Sequence, residues 1–324
     1  MPKKKKKRFS LRYVLLATLL IVGVVPLLVT GWFLAEESGN ELRAVEGRYQ
    51  TELVRDKANR IEMFGRRYIR LVENYKELFE FTKDKEVLAS TRTQEKITSD
   101  LRKDESLVAL FLKPVQGESL SAFRSETINQ EEIEKLSNDM LGRLRDGGVV
   151  LAQPEVIERN GELVLAIASP VVIEDSVVAA VVAIASLQGI SRVIVDEEMS
   201  ETELWESGAP LIFVVDQKGR AVFHPNSRHV TSRQPLNELR IVQEWAITNN
   251  QIDSGLLPFT TVYRGEERRM IGAYSTAKID KNLRFGVIVM QDEQRALASV
   301  TQMRRQTWMI SGALALLTLV LGTI

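Results

Sequence analysis

The 324-residue chain contains no cysteine. Disulfides, thiolate nucleophiles and sulfur-ligated metals are therefore excluded. Histidine is nearly absent as well, with only His224 and His229. A three-histidine metal site cannot be built from one such chain, and neither a metal nor a cofactor is expected. Proline is missing from residues 36–113, so no ring interrupts a helix there. Acid is missing from residues 1–12, where Lys3, Lys4, Lys5, Lys6, Lys7, Arg8 and Arg12 cluster. The formal net charge is zero, so the remainder is acidic on balance and poorly suited to nucleic acid. There is no G-x-S-x-G, P-loop or H-E-x-x-H pattern, each of which would carry a specific chemistry. Glu131-Glu132 and Glu197-Glu198 are adjacent pairs whose side chains diverge, and they read as solvated surface. No enzymatic activity is expected of this region.

Charge is also missing from residues 13–35, 23 positions in a row. A helix needs about 20 apolar residues to cross the hydrocarbon core, and Pro26 inside it is tolerated in a membrane. Tyr13 and Trp32 flank it as interfacial anchors. A cleaved signal peptide would have a shorter apolar core and a small-residue cleavage site. Here Phe33-Leu34-Ala35 runs straight into Glu36-Glu37, so an uncleaved anchor is expected. A second uncharged run covers residues 308–324, after Arg304 and Arg305. The basic start keeps the N-terminus cytoplasmic, places residues 36–307 outside, and suits contact with anionic lipid. The chain is expected to continue beyond Ile324.

The outer segment begins with a helical pattern. Leu42, Val45, Tyr49, Leu53, Ala58, Ile61, Phe64, Tyr68, Leu71, Tyr75 and Leu78 recur at steps of mostly three and four. Residues 36–82 are predicted to be one helix of about 70 Å. Its second half is expected to cover a sheet. Its first half, through Leu42, Val45 and Leu53, is expected to dimerise as a coiled coil. Strands are predicted at 107–112, 120–123, 155–158, 163–172 and 176–187, with a helix capped by Asn129 and Glu132. Asn160-Gly161 is a hairpin signal. From Leu211 a similar order returns: a hairpin around Asp216 and Gly219, a helix over about 236–248, and strands at 259–263, 268–275 and 285–290. From Asp292 a helix is expected to run unbroken toward the second apolar run. Strand, glycine turn, long strand and apolar strand thus occur twice, which suggests two copies of one small module.

"LIFVVDQKGRAVFHP" (211–225) and "RFGVIVMQDEQRAL" (284–297), with two flanking apolar runs and a long first helix, resemble the double Cache (dCache) sensor regions of bacterial transmembrane receptors. The resemblance implies an α/β (α+β) fold: a long N-terminal stalk helix, then two tandem PAS-like Cache modules with antiparallel sheets, flanked by two transmembrane helices. The implied layout is a basic tail at 1–12, a membrane helix at 13–35 and a stalk at 36–82. A membrane-distal module follows at 83–205, a membrane-proximal module at 206–300, and the exit and second membrane helix at 301–324. It further implies a multi-pass receptor of the bacterial inner membrane, homodimeric through the stalk, that senses an extracytoplasmic small molecule. Output would come from a domain outside this chain: a histidine kinase, a methyl-accepting chemotaxis module, a nucleotide cyclase or a phosphatase. A membrane-anchored scaffold that binds a protein partner is the alternative.

The resemblance also implies where a ligand would bind. In the distal module the lining would come from Phe111, Phe123, Arg124, Glu155, Ser169 and Ser186, with the Arg124 guanidinium able to grip a carboxylate through two hydrogen bonds. Amino-acid-binding relatives carry Arg-x-Trp-Tyr in the distal loop and an aspartate on the last strand. This chain has "SLSAFRSETINQ" (119–130) in the loop and Ile184 at the aspartate position. An apolar side chain cannot pair with an α-ammonium group, so a typical free amino acid is not expected. His224 is expected simply to end a strand.

Overall fold

The computed structural model describes residues 11–82, 90–125, 129–144, 148–194, 199–248, 253–263, 265–298 and scattered positions between 302 and 320. The loop residues 126–128 and the helix-ending glycine expected at 147 lie outside the described residues. The chain divides into two compact units, residues 1–49 with 292–324, and residues 50–291.

Helix α1 covers Leu11–Thr82 and contributes to both units. In the larger unit it buries Val54, Ala58, Ile61, Tyr68, Val72, Tyr75 and Phe79, at helical steps. The stripe differs in detail from the sequence pattern. Leu78 is half-exposed and its neighbour Phe79 is buried, and Val54 is buried rather than Leu53. Over a long helix a stripe drifts, because 3.6 residues per turn does not divide seven evenly. Val45 and Tyr49 are exposed, at 50 and 52%.

Helix α2 (Thr91–Lys103) has no counterpart among the expected elements. Ser90 caps it by accepting the N–H of Thr93 at 3.3 Å. The distal sheet comprises β1 (Leu107–Pro114), β2 (Leu120–Phe123), β3 (Val150–Leu151), β4 (Glu155–Ile157), β5 (Glu162–Ile173) and β6 (Ser176–Ser186). Its order is β2-β1-β6-β5-β3, with β4 also on β5. The β6 strand is central, and residues 179–186 are buried on both faces, which is why its apolar run is continuous. Helix α3 (Gln130–Arg143) covers one face. The expected capping box does not close at Asn129, whose side chain caps nothing. Glu132 instead accepts the N–H of Glu158 at 3.0 Å and the Asn129 amide at 3.3 Å. A strand end competes for that carboxylate and wins.

Helices α4 (Gly189–Ile194) and α5 (Glu201–Ser207) connect the modules. The proximal sheet comprises β7 (Leu211–Val215), β8 (Ala221–Phe223), β9 (Ser254–Tyr263), β10 (Glu266–Lys278) and β11 (Arg284–Asp292). Its order, β8-β7-β11-β10-β9, repeats that of the distal sheet: opening hairpin, last strand, penultimate strand, edge. Helices α6 (Ser227–Thr231) and α7 (Arg240–Thr248) pack beside it. Trp245 of α7 is fully buried, donates to Thr276 Oγ1 at 2.9 Å, and lies over Gly286. A Cβ at Gly286 would stand 2.5 Å from the indole, so only glycine admits the ring.

The opening hairpin is held by a buried charge. Asp216 is fully buried. Its Oδ1 accepts the N–H groups of Lys218 and Arg220, both at 2.9 Å. Its Oδ2 accepts Arg220 Nε at 2.9 Å and Arg233 Nη2 at 2.7 Å. Arg233 also donates to the carbonyls of Ala221 and Pro154, which ties the proximal hairpin to the strand entry of the distal module. Gln153 and Gln217 join at 3.2 Å across the same junction.

In the smaller unit, helix α8 (Glu293–Ala296) is capped by Asp292 and ends at Leu297. The helix expected to run unbroken from Asp292 is therefore interrupted there. Among the described residues no helix is long and apolar enough to cross a membrane. About half the side chains of residues 13–35, and most of residues 311–324, lie outside the described set.

Removing one partner of a buried ion pair costs about 3–5 kcal/mol. Asp216→Ala should therefore lose about that much stability in thermal or denaturant unfolding. Arg60→Ala, which breaks a pair with Asp56 that is 46 and 51% exposed, should stay within about 0.5 kcal/mol of the parent chain.

Candidate functional site

The two faces of the distal sheet are unlike. One packs on α1. The other carries Phe111, Ala166, Ala168, Val182 and Ile184 against Ile133, Leu136 and Met140 of α3. Polar groups are few on this second face. Lys113 follows Phe111 by two positions, so strand alternation puts both on one side. Its Nζ donates to Asn138 Oδ1 of α3 at 2.5 Å and stands 5.1 Å from the Phe111 ring centroid. Burial lowers its pKa, with Glu134 opposing. Phe111 and Phe123 meet edge to face at 5.4 Å. An aromatic pair, one buried cation and one amide converge here, a set suited to a small ligand with an apolar body and an anionic or carbonyl group.

The six residues singled out from the sequence are distributed as follows. Phe111 and Phe123 lie together on the α3 side. Ser186 ends β6 on that same side, buried, and accepts the N–H of Gln188 at 3.3 Å. Arg124 is engaged elsewhere: Nη2 donates to both oxygens of Glu162 at 2.9 and 3.0 Å, and Nη1 to the Glu105 carbonyl at 2.7 Å. Glu162 is almost completely buried, so a carboxylate of the chain itself holds the guanidinium. A ligand carboxylate would have to displace it. Glu155 is exposed at the start of β4. Ser169 is fully buried but alternates onto the α1 side, away from Phe111, and its hydroxyl has no hydrogen-bond partner among the described residues. Lys113, Asn138 and Glu162 were not anticipated. Only Lys113 left a trace, as the one charge on an apolar strand.

Among the described residues, three concavities lie outside this face, one of them an open hollow of about 540 Å³ between α1 and the β10–β11 turn. An open groove of about 1030 Å³ runs along α1 and α2, but many of its charges are paired, as in Arg66–Glu62, Arg67–Asp104 and Lys103–Asp100. A smaller cavity of about 400 Å³ is lined by Leu204, Ile212, Phe223, His224 and Ser227. His224 is buried against Phe213, with ring centroids 5.7 Å apart. Burial, reinforced by the neighbouring His229, pushes its pKa down to about 3.

By sequence, the chain matches no protein-family model and no curated protein. By fold, it is similar to the periplasmic sensory domain of the Campylobacter jejuni chemoreceptor Tlp1, at 12% identity and a TM-score of 0.59, covering 79% of this chain and 98% of that one. It is also similar to the extracellular domain assigned to the histidine kinase soHK1S-Z6, at 14% identity and 0.59, covering 80 and 98%. The ligand-binding domain of the Pseudomonas aeruginosa amino acid chemoreceptor PctB, in complex with L-Arg, matches at 19% identity and 0.51, covering 78 and 97%. The chain shares the fold of these sensor domains, as its resemblance to dCache regions implies. In each comparison the shared part spans nearly the whole of the sensor domain.

A hydrogen bond to a charged group contributes about 1.5–3 kcal/mol. Arg124→Ala, which leaves Glu162 buried without its cation, should destabilise the chain by about 2 kcal/mol. A double-mutant cycle with Glu162→Gln should return a coupling of roughly 1–3 kcal/mol; a coupling near zero would mean that the guanidinium is not committed to Glu162.

Proposed function

We propose that this chain is the sensing part of a transmembrane receptor: it binds an extracytoplasmic small molecule in the distal module and relays occupancy through the membrane to an output domain. The observation that carries the membrane part is the exposure of apolar side chains at both ends. Ile21, Val22, Val25, Val29, Trp32, Phe33 and Leu34, with Trp308, Met309 and Ile310, are 46–68% exposed. In water such a collar is unfavourable by about 25 cal/mol per Å²; in lipid it is at home. Thr30 Oγ1 donates to the Pro26 carbonyl at 2.6 Å, the kind of local satisfaction a proline in a membrane helix needs. A Cβ at Gly31 would lie 2.5 Å from Thr307 Cγ2, a close approach of the kind small residues permit between membrane helices.

The ligand site of this reading is the α3 face of the distal sheet. Phe111 and Phe123 supply the apolar wall, Lys113 the charge and Asn138 an amide, and Ser186 lies farther along the same face at the end of β6. Ile184 on that face is fully buried, which supports a ligand other than one held by its ammonium group. The relay runs through the module junction. Arg233 and Gln217 there touch Pro154 and Gln153, so a shift of the distal strands reaches the Asp216 hairpin, and β11 carries it to residue 292. Such a switch works only if the ligand binds one of two packings better than the other.

The first test is a thermal-shift screen of the full chain in detergent against small carboxylates, sugars, amines and purines. Binding at a hundredfold excess over Kd adds about 2.7 kcal/mol, so a clear rise in Tm is expected for a carboxylate, and it should vanish in Lys113→Met and Phe123→Ala. A hit that both variants keep would move the site elsewhere; silence across the panel would favour a protein partner. The stalk is tested separately. Single cysteines at Leu42 or Val45 in this cysteine-free chain should crosslink between copies in membranes, and failure at both positions would argue against a dimer through that stripe.

A further inference from the structure

Two histidines are too few for a three-histidine centre, but the helix that connects the two modules brings a carboxylate to them. Glu201 opens α5, His224 follows β8, and His229 lies in α6. One ligand-capable atom from each lies within 4.8 Å of the others. We propose that Glu201, His224 and His229 form a binding site for a divalent cation of the zinc class, which clips α5 to the β8–α6 corner of the proximal module.

The donor set is the first reason. Two imidazoles and one carboxylate, with no thiolate, are the protein ligands of an open zinc site, in which the fourth position is left for water or a small ligand. Donors at 2.0–2.2 Å from a tetrahedral ion stand about 3.4 Å apart, so atoms that lie within 4.8 Å of one another need to close by up to about 1.4 Å. Glu201 and His229 are only partly buried and can turn to do so. The surroundings are the second reason. His229 Nδ1 lies 2.5 Å from Gln234 Oε1, a contact in which the ring donates and its Nε2 keeps the lone pair a metal needs. The Asn226 amide donates to Glu201 Oε2 at 3.2 Å and orients the carboxylate. Ligating histidines and carboxylates are held in this way by outer hydrogen bonds. The third reason is space: the cavity of about 400 Å³ has His224 in its wall, with Ser200 and Ser227 beside it, and gives a fourth ligand access.

Binding requires one rearrangement. His224 Nδ1 accepts the Asn226 N–H at 3.0 Å, which leaves the ring proton on Nε2. The ion takes Nδ1 by displacing that hydrogen bond, or Nε2 once the proton has moved. The consequence is mechanical. α5 belongs to the connection between the two modules, and His224 ends the hairpin whose Asp216 is linked by Arg233 to the distal module. An ion bridging them would set how tightly that junction is held. The inference stands on these three side chains and is independent of the receptor reading.

The full chain, purified in detergent on a tag without histidine and stripped with EDTA, should be titrated with Zn²⁺ by calorimetry and with Co²⁺ by visible absorption. One equivalent per chain is expected, with the intense d–d bands of four-coordinate Co²⁺. Loss of an outer-shell partner weakens a site 10–100-fold, so removal of a ligand in His229→Gln or Glu201→Gln should weaken Zn²⁺ by about 100-fold or more. Neither side chain is fully buried, so both variants should fold, and an unchanged melting temperature without metal would verify it. Absence of saturable binding by the parent chain overturns the site. So does saturable binding that either variant leaves unchanged.

Discussion

One helix has to serve two sheets. From Gln50 to Thr82, α1 presents a single apolar stripe. Val54 meets Ala273 and Val289 of the proximal sheet, and the stripe from Ala58 to Phe79 shares one continuous core with strands of both modules. Each large side chain so buried contributes about 1.5–3 kcal/mol, and none of it is available to a module that lets go of the helix. That shared core explains why the two sheets belong to one compact unit despite being separate ladders. It also means that a change in either sheet is felt along the same helix, since packed interiors shift rather than deform.

The rest of the architecture follows from keeping that face flat. On the opposite face each module needs its own cover, α3 for the distal sheet and α7 for the proximal one. The proximal cover is seated by small residues: Trp245 lies over Gly286, and a Cβ at Gly272 would stand 2.4 Å from Ile241. The distal cover is seated on Phe111, Val182 and Ile184, with the Lys113 cation bonded to Asn138 beside them. Among the described residues, polar chemistry includes the Lys113 corner, the Arg124–Glu162 pair, the Asp216 clamp and the His224 cavity. Asp216 fixes the hairpin by giving every nearby donor an acceptor, a fully satisfied network that a partial one could not replace.

Shared fold with chemoreceptor and histidine kinase sensor domains says how the chain is built and leaves the ligand to the side chains, because folds host many functions. In this chain the site chemistry departs from an ammonium-binding pattern at Ile184. The arginine that could grip a carboxylate is already gripping Glu162. On the proposed reading, selectivity rests on Lys113 and the Phe111–Phe123 pair, where desolvation strengthens any charge contact that a ligand can make.

Much of this was legible in the amino-acid order. Apolar periodicity located α1, every long strand and the repeat of the module. Asn160-Gly161 and Asp216–Gly219 marked their hairpins, with Gly161 and Gly219 at φ of +67 and +73°. These features depend on neighbours a few residues apart, and local patterning records such neighbours. What the order could not show is which distant partner wins a side chain. Asn129 and Glu132 read as a cap until the Glu158 N–H claimed the carboxylate. Arg124 read as a ligand clamp until folding placed Glu162 beside it, 38 residues on. Ser169 and Ser186 looked alike, yet strand alternation set them on opposite faces once the register was fixed. Glu201, His224 and His229 met only because α5, β8 and α6 converge, and convergence of elements is decided by the packed core that seats them.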